Sequence, residues 1–108
     1  MPPMKMIKAI IRPEKEAEVL RQLESEGIYG MTKVDVLGRG KQRGVQVGNT
    51  IYEELSKLML MIVVEDRECE KAINAISKAA FTGNYGDGKI FVSSIEEVFT
   101  IRTGEIQK

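Results

Sequence analysis

Apolar and polar positions along this chain alternate between a period of two and a period near 3.6, and the changes of period mark its elements. Met4 to Arg12 mixes alternation with a continuous apolar end, which predicts a central β-strand. Pro13 follows, at a position where a helix can begin. Ala17, Val19, Leu20 and Leu23 line one side of that helix, and Gly27 is placed to end it. Met31 to Leu37 alternates again and predicts a second strand. From Gly38 to Thr50 apolar periodicity vanishes and glycine recurs at 38, 40, 44 and 48, which predicts a mobile loop. Leu58 to Val64 is an almost unbroken apolar run, expected as a third strand buried on both faces. Asp66 can cap the next helix, whose stripe is Cys69, Ala72, Ile73, Ile76 and Ala80. Lys89 to Ile95 predicts a fourth strand, and Val98 to Ile101 a short fifth.

The order is βαββαβ, so the expected fold is α+β and ferredoxin-like, with a long flexible loop between strands 2 and 3. Residues 1–108 form one domain, with no linker and no low-complexity tract. Both helices cover one face of the sheet. Apolar residues on the other face need a partner, so a homo-oligomer is expected.

Composition narrows the function. The formal net charge is zero, so no basic field points to nucleic acid or an acidic membrane. Aromatic residues make up only 6%, and the strands are aliphatic, unlike a sheet that stacks RNA bases. The absence of histidine removes Ser-His and Cys-His nucleophile pairs and the usual zinc sites. Cys69 is the single cysteine, so no internal disulfide forms; on an apolar helix stripe it reads as buried filler before it reads as a catalytic thiol. No apolar run reaches the ~20 residues of a membrane span. The start, Met1-Pro2-Pro3, lacks the regions of a signal peptide, so a cytoplasmic location is expected.

The chemistry gathers in Thr82 to Val92, which holds glycines at 83, 86 and 88, then Lys89, and then an apolar strand. Glycines let backbone N–H groups approach an anion, and the lysine adds charge at the mouth of the turn. Gly83 and Gly88-Lys89 satisfy the spacing of a P-loop. However, Ile90 stands where a metal-binding Ser or Thr belongs, and a strand follows where a helix should. What remains is a phosphate turn of another kind, or a tight loop before a strand.

Taken together, several motifs resemble the PII family of nitrogen-signalling proteins, of the GlnB and GlnK type. They are Met4-Lys5 through Ile10-Ile11-Arg12-Pro13, Gly30-Met31-Thr32, Gly38 through Gly44, Lys57, Ile62-Val63-Val64, the turn from Thr82 to Val92, and Ile101 through Glu105. Within that family the segment from Gly38 to Asp66 is similar to the first paralogue of the nitrogenase-associated NifI branch. The loop is short and lacks a tyrosine in register with the one that enteric relatives uridylylate, so direct effector sensing is the expected mode. Thr100 stands where widespread members carry a second basic residue, which implies weaker or altered nucleotide selectivity.

The resemblance implies a homotrimer with nucleotide sites in the clefts between subunits, binding ATP or ADP. Gly86, Asp87, Gly88 and Lys89 would hold phosphates, with Asp87 open equally to a turn role. Arg102 would approach from the neighbouring chain. Gly30, Met31 and Thr32 would bound the adenine, Val64 would add apolar wall and backbone contacts, and Gly38 and Gly40 would complete the nucleotide set. For 2-oxoglutarate the implied residues are Gly40, Lys41, Gln42, Arg43, Gly44 and Lys57, with Gln42 on a shared Mg²⁺. Arg39, Lys41, Arg43, Gln46, Asn49 and Tyr52 would form the target-binding loop; taken alone, such residues are ordinary solvated positions. The implied partners are a second NifI-type paralogue and dinitrogenase (the molybdenum–iron protein), with no nucleic acid and no membrane insertion. An ammonium transporter or glutamine synthetase is the alternative target. The chain is expected to be a regulator and not an enzyme, with slow ATP hydrolysis at most.

Overall fold

The computed structural model describes residues 3–47 and 50–106, apart from the side chains of 40–47 and 50–53. A four-stranded antiparallel sheet has the order β2-β3-β1-β4, from Thr32–Val47 (β2), Thr50–Glu65 (β3), Met4–Ile11 (β1) and Lys89–Ile95 (β4). Two helices, Glu16–Ser25 (α1) and Asp66–Ala80 (α2), pack on one face. The expected ferredoxin-like order is the observed one.

Register explains which face is buried. Ile7, Ala9 and Ile11 of β1 lie opposite Ile62, Leu60 and Leu58 of β3, and all six are at most 5% exposed beneath the helices. Val19 and Leu23 from α1, with Ala72, Ala75 and Ile76 from α2, close the core from above. The small alanines of α2 let that helix lie near the strands. The intervening residues Met59, Met61 and Val63 are half-buried on the other face, where Phe91 of β4 is exposed. The run from Leu58 to Val64 is therefore covered on one side only within a single chain. Its continuous apolarity fits a strand whose second face is reserved for another surface.

Local signals mostly hold, with corrections at the edges. Pro13–Lys15 forms a 3-10 turn, and α1 proper starts at Glu16. Gly27 takes φ +79°, the left-handed conformation that ends a helix. Asp66 is the first residue of α2 and not its cap; Glu65 occupies that position, and no side chain caps the helix. Phe99–Thr100 (β5) pairs with Glu105–Ile106 (β6) as a separate hairpin.

The largest difference lies at Gly38 to Thr50, read from the sequence as a loop. There β2 and β3 continue beyond the body of the sheet, with Gly38 opposite Leu55, Lys41 opposite Tyr52, and Val47 opposite Thr50. The register shifts between Lys41 and Gln46. Because β1 reaches only to Leu58 on β3, this extension is a two-stranded ribbon, with no third strand among the described residues. A glycine-rich ribbon beyond the body of the sheet need not alternate, and this one carries no apolar period.

Candidate functional site

The end of β1, the root of the ribbon and the glycine turn before β4 converge at one end of the open face. Ile10 lies opposite Met59 on one side and Lys89 on the other. One more step of the same parity brings Arg12 opposite Lys57. The sheet therefore delivers two cations to one place.

The glycine turn is held by Asp87. Its carboxylate accepts hydrogen bonds from the Thr82 N–H (2.8 Å), the Gly83 N–H (2.9 Å) and the Thr82 hydroxyl. Arg12 Nε donates to the same carboxylate at 3.3 Å, and Arg12 Nη2 donates to the Tyr85 carbonyl at 2.7 Å. Burial by itself would raise the Asp87 carboxyl. The Thr82 hydroxyl, the Thr82 and Gly83 amides and Arg12 together outweigh it and hold the group far below its ordinary 3.8.

Backbone geometry makes the glycines of this turn obligatory. Gly83, Gly86 and Gly88 take φ of +89°, +99° and +107°. A Cβ on Gly88 would stand 1.7 Å from the Ile10 carbonyl oxygen, so a side chain there cannot fit against β1.

Lys57 is the cation that the fold buries. It is 8% exposed, and its ammonium donates to the Gly86 carbonyl. Burial lowers its pKa from 10.5, the Arg12 guanidinium adds to that lowering, and Glu14 and Asp87 oppose it. Its stem lies against Gly38, where a Cβ would meet Lys57 Cγ at 3.0 Å. Gly38, Lys57 and Gly86, far apart in sequence, thus come into contact.

Other candidates lie apart from this cluster. Thr32 pairs with Met61, four residues along β3 from Lys57, roughly 13 Å at the rise of a strand. Thr32 thus borders a different part of the open face, whereas Met31 is half-buried against the core under the helices. Val64 is 4% exposed in the core under the helices, so its side chain does not form a wall on the open face. Val63 and Met61 present their side chains there. The alternation of a strand decides this, and an unbroken apolar run conceals it. Arg102 lies in the β5–β6 turn, exposed and with no hydrogen bond or ion pair to the glycine turn. Arg39 is exposed at the ribbon's root, opposite Glu54. Gly40 and Lys41 pair through the backbone with Glu53 and Tyr52. The side chains of Lys41, Gln42, Arg43, Gln46 and Tyr52 lie outside the described residues, as does Asn49 altogether. Among the described residues no cluster of carboxylates and thiols could hold a metal, so the Mg²⁺ expectation rests on Gln42 and phosphate.

Arg12 stands in one of the family motifs, but the sequence assigns it no role in the site. Its partners Tyr85 and Asp87 are 73 and 75 residues away, and no local motif announces such a contact. A basic residue at the end of a central strand, of open-face parity, was the available signal.

Chemically, the arrangement is a glycine turn with an ammonium and a guanidinium at its back and Lys89 at its mouth. That suits an anion bearing several oxygens.

Known proteins resemble this chain along nearly its whole length. A family model described as "Nitrogen regulatory protein P-II" matches residues 4–105. The "Nitrogen fixation nifHD region glnB-like protein 1" of Methanococcus maripaludis is 52% identical over 100 residues, covering 93% of this chain and 95% of that protein. A "Nitrogen fixation nifHD1 region GlnB-like protein 1" of Methanosarcina barkeri is 52% identical over 102 residues, covering 94% and 97%. "Nitrogen regulatory protein P-II 2" of Methanothermobacter thermautotrophicus is 46% identical over 109 residues, covering 97% and 95%. Among solved structures, a B. subtilis GlnK–ATP complex superposes with a TM-score of 0.82 at 28% identity, covering 96% of this chain and 92% of the other.

Proposed function

The chain belongs to the P-II family of nitrogen regulatory proteins, and from that premise we propose that it is a nitrogen-status sensor controlling nitrogen fixation. It binds ATP or ADP and 2-oxoglutarate, and inhibits dinitrogenase directly through the β2–β3 ribbon. MgATP with 2-oxoglutarate relieves the inhibition. The nifHD-region names of its relatives support the link to nitrogen fixation. The ATP in the GlnK relative's complex supports the nucleotide.

The observation that carries this reading is the contact of Gly38, Lys57 and Gly86. It joins the root of the ribbon to the phosphate turn. A nucleotide on the turn and an acid at Lys57 therefore act on one joint, from which the ribbon extends. Gln42, two residues past Gly40, would hold Mg²⁺ against the phosphates, with the keto-acid completing its coordination. Ligands that share a metal strengthen each other reciprocally. They move the ribbon only by binding its two arrangements unequally.

The half-buried face of Met59, Met61 and Val63 and the unsupported β5–β6 hairpin fit a homotrimer in which Arg102 reaches the neighbouring site. Among the described residues no helix is long and apolar enough to cross a membrane. We place the protein in the cytoplasm, with a second NifI-type paralogue as co-regulator. The protein's role is regulatory, with slow ATP hydrolysis a side activity at most.

The test is dinitrogenase activity with both NifI-type proteins added. Inhibition with ADP, relieved by MgATP and 2-oxoglutarate, is expected. Unchanged activity without 2-oxoglutarate would overturn the target assignment and leave an ammonium transporter or glutamine synthetase as the regulated protein.

A further inference from the structure

The geometry points to Arg12 and Asp87 as positioning residues of the nucleotide turn, acting through its backbone and not by touching the nucleotide. This inference rests on the nucleotide reading above and replaces ligand contact as the role of Asp87.

The argument begins with what the Asp87 carboxylate already holds. Two backbone N–H groups and one hydroxyl, all from Thr82 and Gly83, converge on it within the turn. Arg12 occupies it from β1. A carboxylate with four donors has little left for a ligand, and a bare negative charge beside phosphate would repel it. Arg12 cancels that charge. Its second nitrogen holds the Tyr85 carbonyl, on the opposite limb of the turn from Thr82.

The consequence lies in the peptides between these ties. Thr82 and Gly83 are fixed at one side, Tyr85 and Asp87 at the other, and the Gly86 carbonyl is held inward by Lys57. Neither the Gly86 nor the Gly88 N–H has a protein acceptor among the described residues. With φ of +99° and +107°, these glycines present donors that the clamp has already oriented. A turn ordered beforehand spends less of its binding energy on ordering when phosphate arrives. Arginine suits the task because its planar fork meets the carboxylate and the carbonyl at once; lysine offers one point charge.

The test is titration of ATP and ADP, with and without Mg²⁺, into wild type, Asp87→Asn, Arg12→Met and the double variant. Amide exchange at Thr82 and Gly83 is followed in the ligand-free proteins. Each single variant should weaken every nucleotide by about tenfold, equally with and without Mg²⁺. The double variant should lose little more than either single one, because both act on one clamp. Arg12→Lys should recover only part of the affinity. Exchange at Thr82 and Gly83 should accelerate in Asp87→Asn, whether or not nucleotide binds.

A loss confined to Mg²⁺-containing titrations would make Asp87 a metal contact and overturn the inference. Additive losses, or full affinity in Asp87→Asn, would do the same. Wild type that binds no nucleotide would sink the nucleotide reading itself. The exchange data would then still say whether Asp87 orders the turn.

Discussion

The buried ammonium of Lys57 donates to the Gly86 carbonyl, tying β3 to the glycine turn at the root of the ribbon. Removing that ammonium frees the carbonyl and leaves Arg12 without a cationic neighbour. Stability should therefore change little, because a lost hydrogen bond worth about 1–2 kcal/mol is offset by relief of burying a charge. Lys57→Met should keep its melting temperature within a few degrees, by calorimetry, and lose 2-oxoglutarate binding. A collapse of the fold would show that the tie is structural first.

Gly88 and Gly30 separate a glycine required by geometry from one that is free. Gly88→Ala places a Cβ against the Ile10 carbonyl at positive φ and should cost about 2–4 kcal/mol in urea denaturation. Gly30 has nothing within 4 Å of its Cβ position. Gly30→Ala should stay within about 0.5 kcal/mol of wild type, so any effect on nucleotide affinity reports the site and not the fold.

Much of this architecture was legible in the sequence, for definite reasons. The apolar stripe of α2, the stop at Gly27 and the strand from Lys89 to Ile95 are local signals, and each element lies where its signal falls. The ribbon was illegible because its pairing is a backbone register and its glycine-rich sequence does not alternate. The facing of Val64 was hidden by the unbroken run around it. The Arg12 clamp depends on contacts 73 and 75 residues along the chain, which no spacing rule reaches.

Acid should expose the contribution of Asp87. Its folded pKa lies far below the 3.8 of the free group, so the unfolded chain binds the proton more readily. The stability it supplies is whole above 3.8 and drains as pH falls toward the folded value. Urea midpoints measured from about pH 7 down to about pH 3 should fall more steeply for wild type than for Asp87→Asn. Lys57 acts in the opposite range: its lowered pKa makes the folded chain give up that proton first, so its burial cost is relieved as pH rises toward 10.5. Parallel acid limbs in the two proteins would contradict the Asp87 assignment.

The two faces of the sheet should respond differently to substitution. Leu60→Ala empties a fully buried position beneath the helices and should cost about 2–5 kcal/mol. Phe91→Glu puts a charge on the exposed face of β4 and should leave the monomer fold intact. If that face is where subunits meet, sedimentation velocity should show the trimer dissociating in Phe91→Glu. A trimer that survives this change would move the interface elsewhere.

The central claim is that nucleotide and keto-acid share one metal-linked site at the root of the ribbon. Calorimetric titration of 2-oxoglutarate into the protein, with and without MgATP, tests it most directly. Binding that appears only with MgATP, and vanishes in Gln42→Ala, is the expected result. Binding that ignores MgATP, or none under either condition with the fold intact, would contradict the shared site.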